Sequence, residues 1–312
     1  MVESIVARQK REGRLTPAAE FPKVVLIDTV SHCNLRCSMC VHPRMRRKKG
    51  IMPWPLFTKL IDEIAREDKG ARVWLVFFGE ALILKNRKPG IFEMIAYAKA
   101  AGLRDVVINS NANLLDDRAA RRLIESGLDA VYIGLDAFSA ETYSRLRVGG
   151  DYRKTVDNVL NLLRLKRELR AKKPDVFVQF VEMPENRAER PAFVRFWKRH
   201  GATVKIRPMV SWAGEIRAGN LVLGNDQRWP CYWAMRTLSV TDSGKVVLCA
   251  VDLDAQYIAG DARRRSLKEI WNGKLARLRE HHLRGRWSKL PKLCADCRDW
   301  QSARADYYSG SR

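Results

Sequence analysis

The sequence predicts an α/β chain: a partial barrel of six parallel strands followed by a small α+β module. Three observations carry this. Strand-like and helix-like segments alternate from residue 23 to residue 208, the rhythm of a parallel sheet with crossover helices. Three cysteines spaced C-x3-C-x2-C, namely Cys33, Cys37 and Cys40, fall in the loop directly after the first apolar segment. Beyond Met209 the rhythm stops, and Cys231, Cys249, Cys294 and Cys297 follow in a different pattern.

Taken in order, residues 1–20 mix charges with apolar residues and read as a polar arm without the apolar stretch of a signal peptide. The barrel is expected over 21–210, with strands near 23–30, 72–78, 104–109, 129–135, 175–183 and 203–208. Helices are expected near 54–67, 90–102, 116–127, 139–147, 152–171 and 187–200. Val156, Val159, Leu160 and Leu163 recur at helical spacing, so the helix after Asp151 has one apolar face. Gly201 supplies a helix stop before the last strand. Residues 211–228 read as an irregular connector, 229–298 as the module, and 299–312 as a tail carrying Trp300, Tyr307 and Tyr308. Within the module, Leu238 to Leu248 reads as a hairpin turning at Asp242-Ser243-Gly244. Ile258-Ala259-Gly260-Asp261 then leads to a helix opening at Ser266.

An apolar content of 46% with 30% charged residues belongs to a globular chain, and no apolar run is long enough for a transmembrane helix. Seven cysteines are an odd count, which argues against a complete disulfide framework and for a reducing, cytoplasmic setting. The formal charge of +23 would attract nucleic acid, anionic lipid or a phosphorylated substrate. The basic residues are nevertheless spread over almost every helix. The densest run is Arg44, Arg46, Arg47, Lys48 and Lys49, beside the first cysteines, so most of the charge reads as solvated surface.

Thiolates are soft donors, and a [4Fe–4S] cube normally takes four of them. Three leave one iron free to hold a substrate or cofactor. The blander readings are three buried apolar cysteines or a zinc site short of one ligand. Sites on parallel sheets lie at the carboxyl ends of the strands, where further motifs fall. They are Gly79-Glu80-Ala81 after the second strand, Asn109-Ser110-Asn111 at the end of the third, and Gly134-Leu135-Asp136 at the end of the fourth with Arg147 beyond it. The asparagines suit either a turn or a ligand contact. On the fifth strand, alternation puts Phe177, Gln179 and Val181 on one face, so Gln179 is expected to line the interior and Glu182 to meet cofactor or substrate at the strand end. Lys205 and Arg207 share a face of the sixth.

The first cysteine motif, the strand before it and the basic loop after it resemble the radical S-adenosylmethionine (radical SAM) superfamily. The resemblance implies that the open iron chelates the amino and carboxylate groups of S-adenosylmethionine, and that an electron from the cluster splits it to a 5′-deoxyadenosyl radical. It implies that Gly79 and Glu80 meet the methionine amino group, although Ala81 stands where the family usually has proline. It further implies that Asn109, Ser110 and Asn111 replace the family's Thr-Asn-Gly, that Gly134 and Asp136 approach the ribose, and that Arg147 takes the carboxylate, a group a guanidinium can bind bidentately. The hairpin, Gly260-Asp261, the Ser266-Leu267-Lys268-Glu269-Ile270-Trp271 helix and the final C-x2-C resemble the SPASM/twitch class of auxiliary-cluster domains. Four cysteines there suffice for one fully ligated [4Fe–4S] cluster, the twitch-like arrangement of dehydrogenases of the 2-deoxy-scyllo-inosamine type. A structural zinc site is the alternative.

What the resemblance implies for function is oxidation of a secondary alcohol to a ketone on a cyclitol, aminocyclitol or sugar of natural-product biosynthesis. The auxiliary cluster would accept the electron, and Glu182, Lys205 and Arg207 are the candidates for base or hydroxyl contact. Radical modification or epimerisation of a peptide or natural product is an alternative, weakened because only some twenty residues precede the barrel. Radical modification of RNA or a nucleotide is another, as is nucleic-acid binding with structural clusters, although no recognisable nucleic-acid motif is present. The expected partners are a small-molecule substrate, including an anionic one, and an electron donor such as flavodoxin or ferredoxin.

Overall fold

The computed structural model describes residues 20–302. The expected N-terminal arm up to residue 19, and the tail from residue 303 with Tyr307 and Tyr308, lie outside the described residues. Six parallel strands form the barrel: β1 (Val24–Ile27), β2 (Arg72–Trp74), β3 (Asp105–Ser110), β4 (Ala130–Gly134), β5 (Asp175–Glu182) and β6 (Thr203–Pro208). They are hydrogen-bonded in sequence order, each parallel to the next. The second strand is shorter than its apolar run suggests, because the chain leaves the sheet after Trp74 to build a loop that carries site residues.

The strands are buried on both faces, and their period of two sorts the side chains. Val25 and Ile27 join the core beneath the helices, whereas Val24 and Leu26 face the lumen with Trp74, Val107 and Tyr132. Helices α1 (Trp54–Glu67), α2 (Ile91–Ala100), α3 (Asp117–Glu125), α4 (Ala140–Leu146), α5 (Tyr152–Glu168) and α6 (Arg190–Arg199) connect them. Their starts are written in the sequence. Asp116 accepts from Ala119 N, Ser139 from Thr142 N and Asp151 from Lys154 N, each satisfying an orphan amide of the first turn. The buried stripe of α5 runs through Val159, Leu162, Leu163 and Leu165, while Val156 and Leu160 sit partly covered at its margin.

The lumen is aromatic. Trp74 lies 4.9 Å from Tyr132, and Tyr132 stacks on Phe177 at 4.6 Å with an interplanar angle of 7°. The ammonium of the buried Lys205 sits over the Tyr132 ring, 5.1 Å from its centroid. That contact offsets part of the cost of enclosing a charge.

The module begins at α7 (Tyr232–Arg236) and continues the same sheet. Strand β7 (Thr237–Val240) pairs parallel to β1, then β8 (Lys245–Val247) and β9 (Ile258–Asp261) add antiparallel, giving a sheet of nine strands among the described residues. The hairpin turn closes with Gly244 N donating to Thr241 O at 2.9 Å. Helix α8 (Leu267–Asn272) starts with a reciprocal cap, Ser266 Oγ accepting from Glu269 N and Glu269 accepting from Ser266 N. It buries Leu267, Ile270 and Trp271 and is followed by α9 (Lys274–Leu283).

Part of the basic run after the first cysteines ties barrel to module. The Arg47 guanidinium donates to Asp28 at the end of β1, at 2.7 Å, and to Asp242 in the hairpin turn. Its Nε donates to Leu253 O, and the amides of Arg46 and Arg47 donate to Asp254. Arg47 is therefore a largely enclosed joint rather than solvated surface. Removing it would strand two enclosed carboxylates, a change that costs about 3–5 kcal/mol where measured.

Candidate active site

The loops at the carboxyl ends of β1 to β5 meet in one cavity. Its first wall is the cysteine loop. Cys33, Cys37 and Cys40 all line the cavity, and the loop is fixed to the barrel by Arg36 N and Ser38 N donating to Val148 O and Leu146 O. Burial pushes the Cys33 thiol up to about 11 and the Cys40 thiol up to about 12. These sulfurs therefore stay protonated until a metal displaces the proton.

Gly79 and Glu80 form the next wall. A Cβ on Gly79 would lie 1.9 Å from Val30 O, so only glycine lets this loop pass the strand that leads to the cysteines. Glu80 is buried and used on both oxygens. It accepts from Ser110 Oγ and Leu82 N on one side and from Asn111 N on the other. Burial raises its pKa, and those donors oppose the rise. Asn111 bridges to Asn34 in the cysteine loop at 2.9 Å and accepts from Asn113 N, so it makes the turn. Asn109 is different: it lines the cavity, and its buried Oδ1 has no hydrogen-bond partner among the described residues.

The Gly134–Asp136 motif and Arg147 form one unit. Asp136 is fully buried at φ +60 and accepts from Val181 N and from Arg147 Nη2. Arg147 Nη1 lies 3.6 Å from Cys37 Sγ. Burial works against the charge of Arg147, but Asp136 and Cys37 beside it raise its pKa, so it remains a cation. The Arg147–Asp136 pair is thus largely enclosed beside Cys37 rather than on the surface. Gly134 makes room for it, since a Cβ there would lie 2.1 Å from Arg147 Nη2. Gly134→Ala should therefore displace Arg147 and cost about 1–3 kcal/mol through overpacking. Thermal denaturation together with S-adenosylmethionine binding would check this; a variant with unchanged melting and binding would refute the coupling.

Gln179 lines the cavity, as alternation predicts. Glu182 does not. It lies on the opposite face of β5, with Val178 and Phe180, and its carboxylate is held by Arg190 at 2.7 Å and Arg187 at 3.3 Å. The expectation that it meets cofactor or substrate is corrected: an even number of residues from Val178 puts it outside. Lys205 and Arg207 do share the lumen side. Each acts one layer back, Lys205 over Tyr132 and Arg207 donating to Gln179 Oε1 at 2.7 Å, and both of those partners line the cavity.

Sequence reasoning missed the aromatic wall of Phe77, Phe78, Tyr132 and Trp212. Trp212 lies in the connector at φ +54, and Asp299, just past the last cysteine, holds it by accepting from Ser211 N and Ala213 N. Trp212 Nε1 donates to Met39 O in the cysteine loop. Nothing local in the connector signals this.

Cys231, Cys249, Cys294 and Cys297 line a second cavity whose other walls are mainly apolar, including Leu248, Val251, Leu278 and Trp300. Burial raises Cys231, Cys249 and Cys297 and pushes Cys294 up to about 12. The two sites are neighbours. Phe77 lines the first cavity, Trp233 lines the second, and their ring centroids are 6.1 Å apart. Among the described residues no three His, Cys, Asp or Glu converge on a single-ion position. The seven thiols line two cavities.

The donor sets fit the groups the motifs imply. Three thiols with an unpartnered Asn109 oxygen and a cationic Arg147 suit a three-ligand cluster with a zwitterionic cofactor; four thiols in an apolar pocket suit a closed cluster. Fold and sites together thus define an iron–sulfur enzyme with two cluster positions.

Residues 27–196 match the model of the radical SAM superfamily, and residues 231–298 match that of SPASM, an iron-sulfur cluster-binding domain. The chain belongs to the radical SAM superfamily and carries a C-terminal SPASM domain, a combination whose cofactors are S-adenosylmethionine and two [4Fe–4S] clusters. It is 26% identical over 178 residues to a tungsten-containing aldehyde ferredoxin oxidoreductase cofactor-modifying protein of Pyrococcus furiosus, covering 56% of this chain and 48% of that one. It is 31% identical over 182 residues to a GTP 3′,8-cyclase of Chlorobaculum tepidum, covering 58% and 52%. The chain thus spans about half the length of the curated relatives it matches. Among solved structures, BtrN in complex with AdoMet and 2-DOIA superposes with a TM-score of 0.60 at 17% identity, over 89% of this chain and 93% of that one. Streptococcus suis SuiB bound to the precursor peptide SuiA does so with 0.66 at 14%, over 86% and 68%. At these identities the likeness is one of fold. Among the described residues no helix is long and apolar enough to cross a membrane.

Proposed function

We propose that this chain is a radical dehydrogenase that oxidises a secondary alcohol on a cyclitol, aminocyclitol or sugar to a ketone. The observation that supports it most is the second cavity. It offers four thiols, which leaves no iron of a cube open to substrate, and it touches the first cavity through Phe77 and Trp233. With cofactors bound, the first site supplies homolytic hydrogen abstraction and the second an acceptor for the remaining electron. In this reading Cys33, Cys37 and Cys40 hold the first cluster, while Gly79, Glu80, Asn109, Ser110, Asn111, Gly134, Asp136 and Arg147 hold S-adenosylmethionine. Cys231, Cys249, Cys294 and Cys297 hold the second cluster. Arg207 orients a substrate hydroxyl through Gln179, and Lys205 keeps the floor under Tyr132 positive, which favours loss of the hydroxyl proton. Seven free thiols suit a reducing cytoplasm, where flavodoxin or ferredoxin would donate electrons.

The test is anaerobic turnover of cyclic polyols with S-adenosylmethionine and a reductant. A product lighter by two hydrogens, formed with one 5′-deoxyadenosine, is expected; a product of unchanged mass would make the enzyme an epimerase. A second reading, radical modification of a nucleotide, is favoured by the GTP 3′,8-cyclase relative and the +23 charge. Turnover of GTP with cyclic polyols left untouched would establish it instead.

A further inference from the structure

We propose that His282 donates a hydrogen bond to the sulfur of Cys294 and thereby holds the second cluster at a higher reduction potential than its cavity alone would set. This rests on the reading that Cys231, Cys249, Cys294 and Cys297 hold that cluster.

His282 is on α9 and has no solvent exposure. Both of its ring nitrogens are engaged, each at a cysteine of the set. Nδ1 lies 3.5 Å from the backbone N of Cys231, and Nε2 lies 3.3 Å from Cys294 Sγ. An amide N–H can only donate, so Nδ1 accepts and carries no proton. The ring proton is therefore on Nε2, directed at the sulfur. Trp287 packs against the imidazole edge-on, with centroids 5.8 Å apart, and limits its rotation.

A buried histidine on a helix is most often a satisfied core residue. Here the hydrogen bonds that satisfy it run to two of the four cysteines, and only one of them, to the Cys231 backbone, would survive as a purely structural tie. The other ends on a sulfur. An N–H donor at a cluster sulfur stabilises the more negative, reduced state, and hydrogen bonds to sulfur are among the levers that set such potentials. The lever is strong in this cavity because its walls are mainly apolar, Leu248, Val251, Leu278 and Leu293 among them, and screen an added electron weakly. Arg228 is the second positive influence. It donates to the carbonyls of Cys294 and Ala295, with Nη2 3.8 Å from Cys294 Sγ, so its main grip is on the backbone. His282 is thus a positioning and tuning residue for a cluster meant to accept an electron.

The experiment uses the full chain with Cys33, Cys37 and Cys40 replaced by alanine, so that only the second cluster is loaded. About four irons per chain in this parent supports the underlying reading; none would refute that reading, and the proposal with it, before any potential is measured. His282→Phe and His282→Met are then titrated by electron paramagnetic resonance at controlled potential. The expected result is a reduction equilibrium at least tenfold less favourable than in the parent, which is 59 mV for a one-electron couple. His282→Gln, which restores an N–H donor, is expected to recover part of the shift. A midpoint within twofold of the parent in equilibrium terms, with four irons retained, would overturn the proposal. Loss of iron from both His282→Phe and His282→Met would overturn it as well, by making His282 a residue that holds the cluster in place.

Discussion

Replacing Cys33 by alanine is expected to abolish cleavage of S-adenosylmethionine while the protein keeps its fold and its second cluster. Cys33 is only partly buried and lies in a loop held by backbone hydrogen bonds at other residues, so loss of one sulfur leaves the barrel intact. It leaves two thiols for a cube that already lacks one ligand. Iron should fall from about eight to about four per chain. Production of 5′-deoxyadenosine should fall by at least about a thousandfold, or about 4 kcal/mol of lost transition-state stabilisation. Iron analysis and chromatography of the nucleoside products check both. Cleavage at the parental rate, or a variant without any iron, would contradict the division into two independent clusters.

Cys294→Ala should split the activities the other way. Cys294 lines the second cavity and not the first, so the first cluster and cofactor cleavage should survive within about threefold, while oxidised product falls by at least about a hundredfold, or about 2.7 kcal/mol. The ratio of 5′-deoxyadenosine to product, expected near unity in the parent, is the measurement. Undiminished product formation with only four irons would remove the second cluster from the reaction and with it the dehydrogenase reading.

The residues that sequence reasoning placed well are those whose signal is local. Three cysteines in eight residues, a Gly-Glu pair after a strand and an asparagine-rich strand end all reach one cavity because the carboxyl ends of parallel strands share one rim. Helix starts at Asp116, Ser139, Asp151 and Ser266 were readable because a capping side chain and its amide lie within one turn. Glu182 shows the limit. The alternation that put Gln179 inside also puts Glu182 outside, yet its place at a strand end suggested the rim, and only the ion pairs with Arg187 and Arg190 decide between them.

By itself, the sequence determined the class of the protein: the order of strands and helices, two groups of thiols and a module with its own hairpin and capped helix. These depend on spacing and periodicity, which a chain carries in any conformation. Only the tertiary structure decided that β7 docks on the free edge of β1, that Arg47 joins Asp28 to Asp242, that Asp299 sets Trp212 in the cavity wall, and that His282 reaches Cys294. Most of these contacts join residues far apart in the chain, and all depend on charge, shape and hydrogen-bond direction at a meeting point that no local pattern encodes.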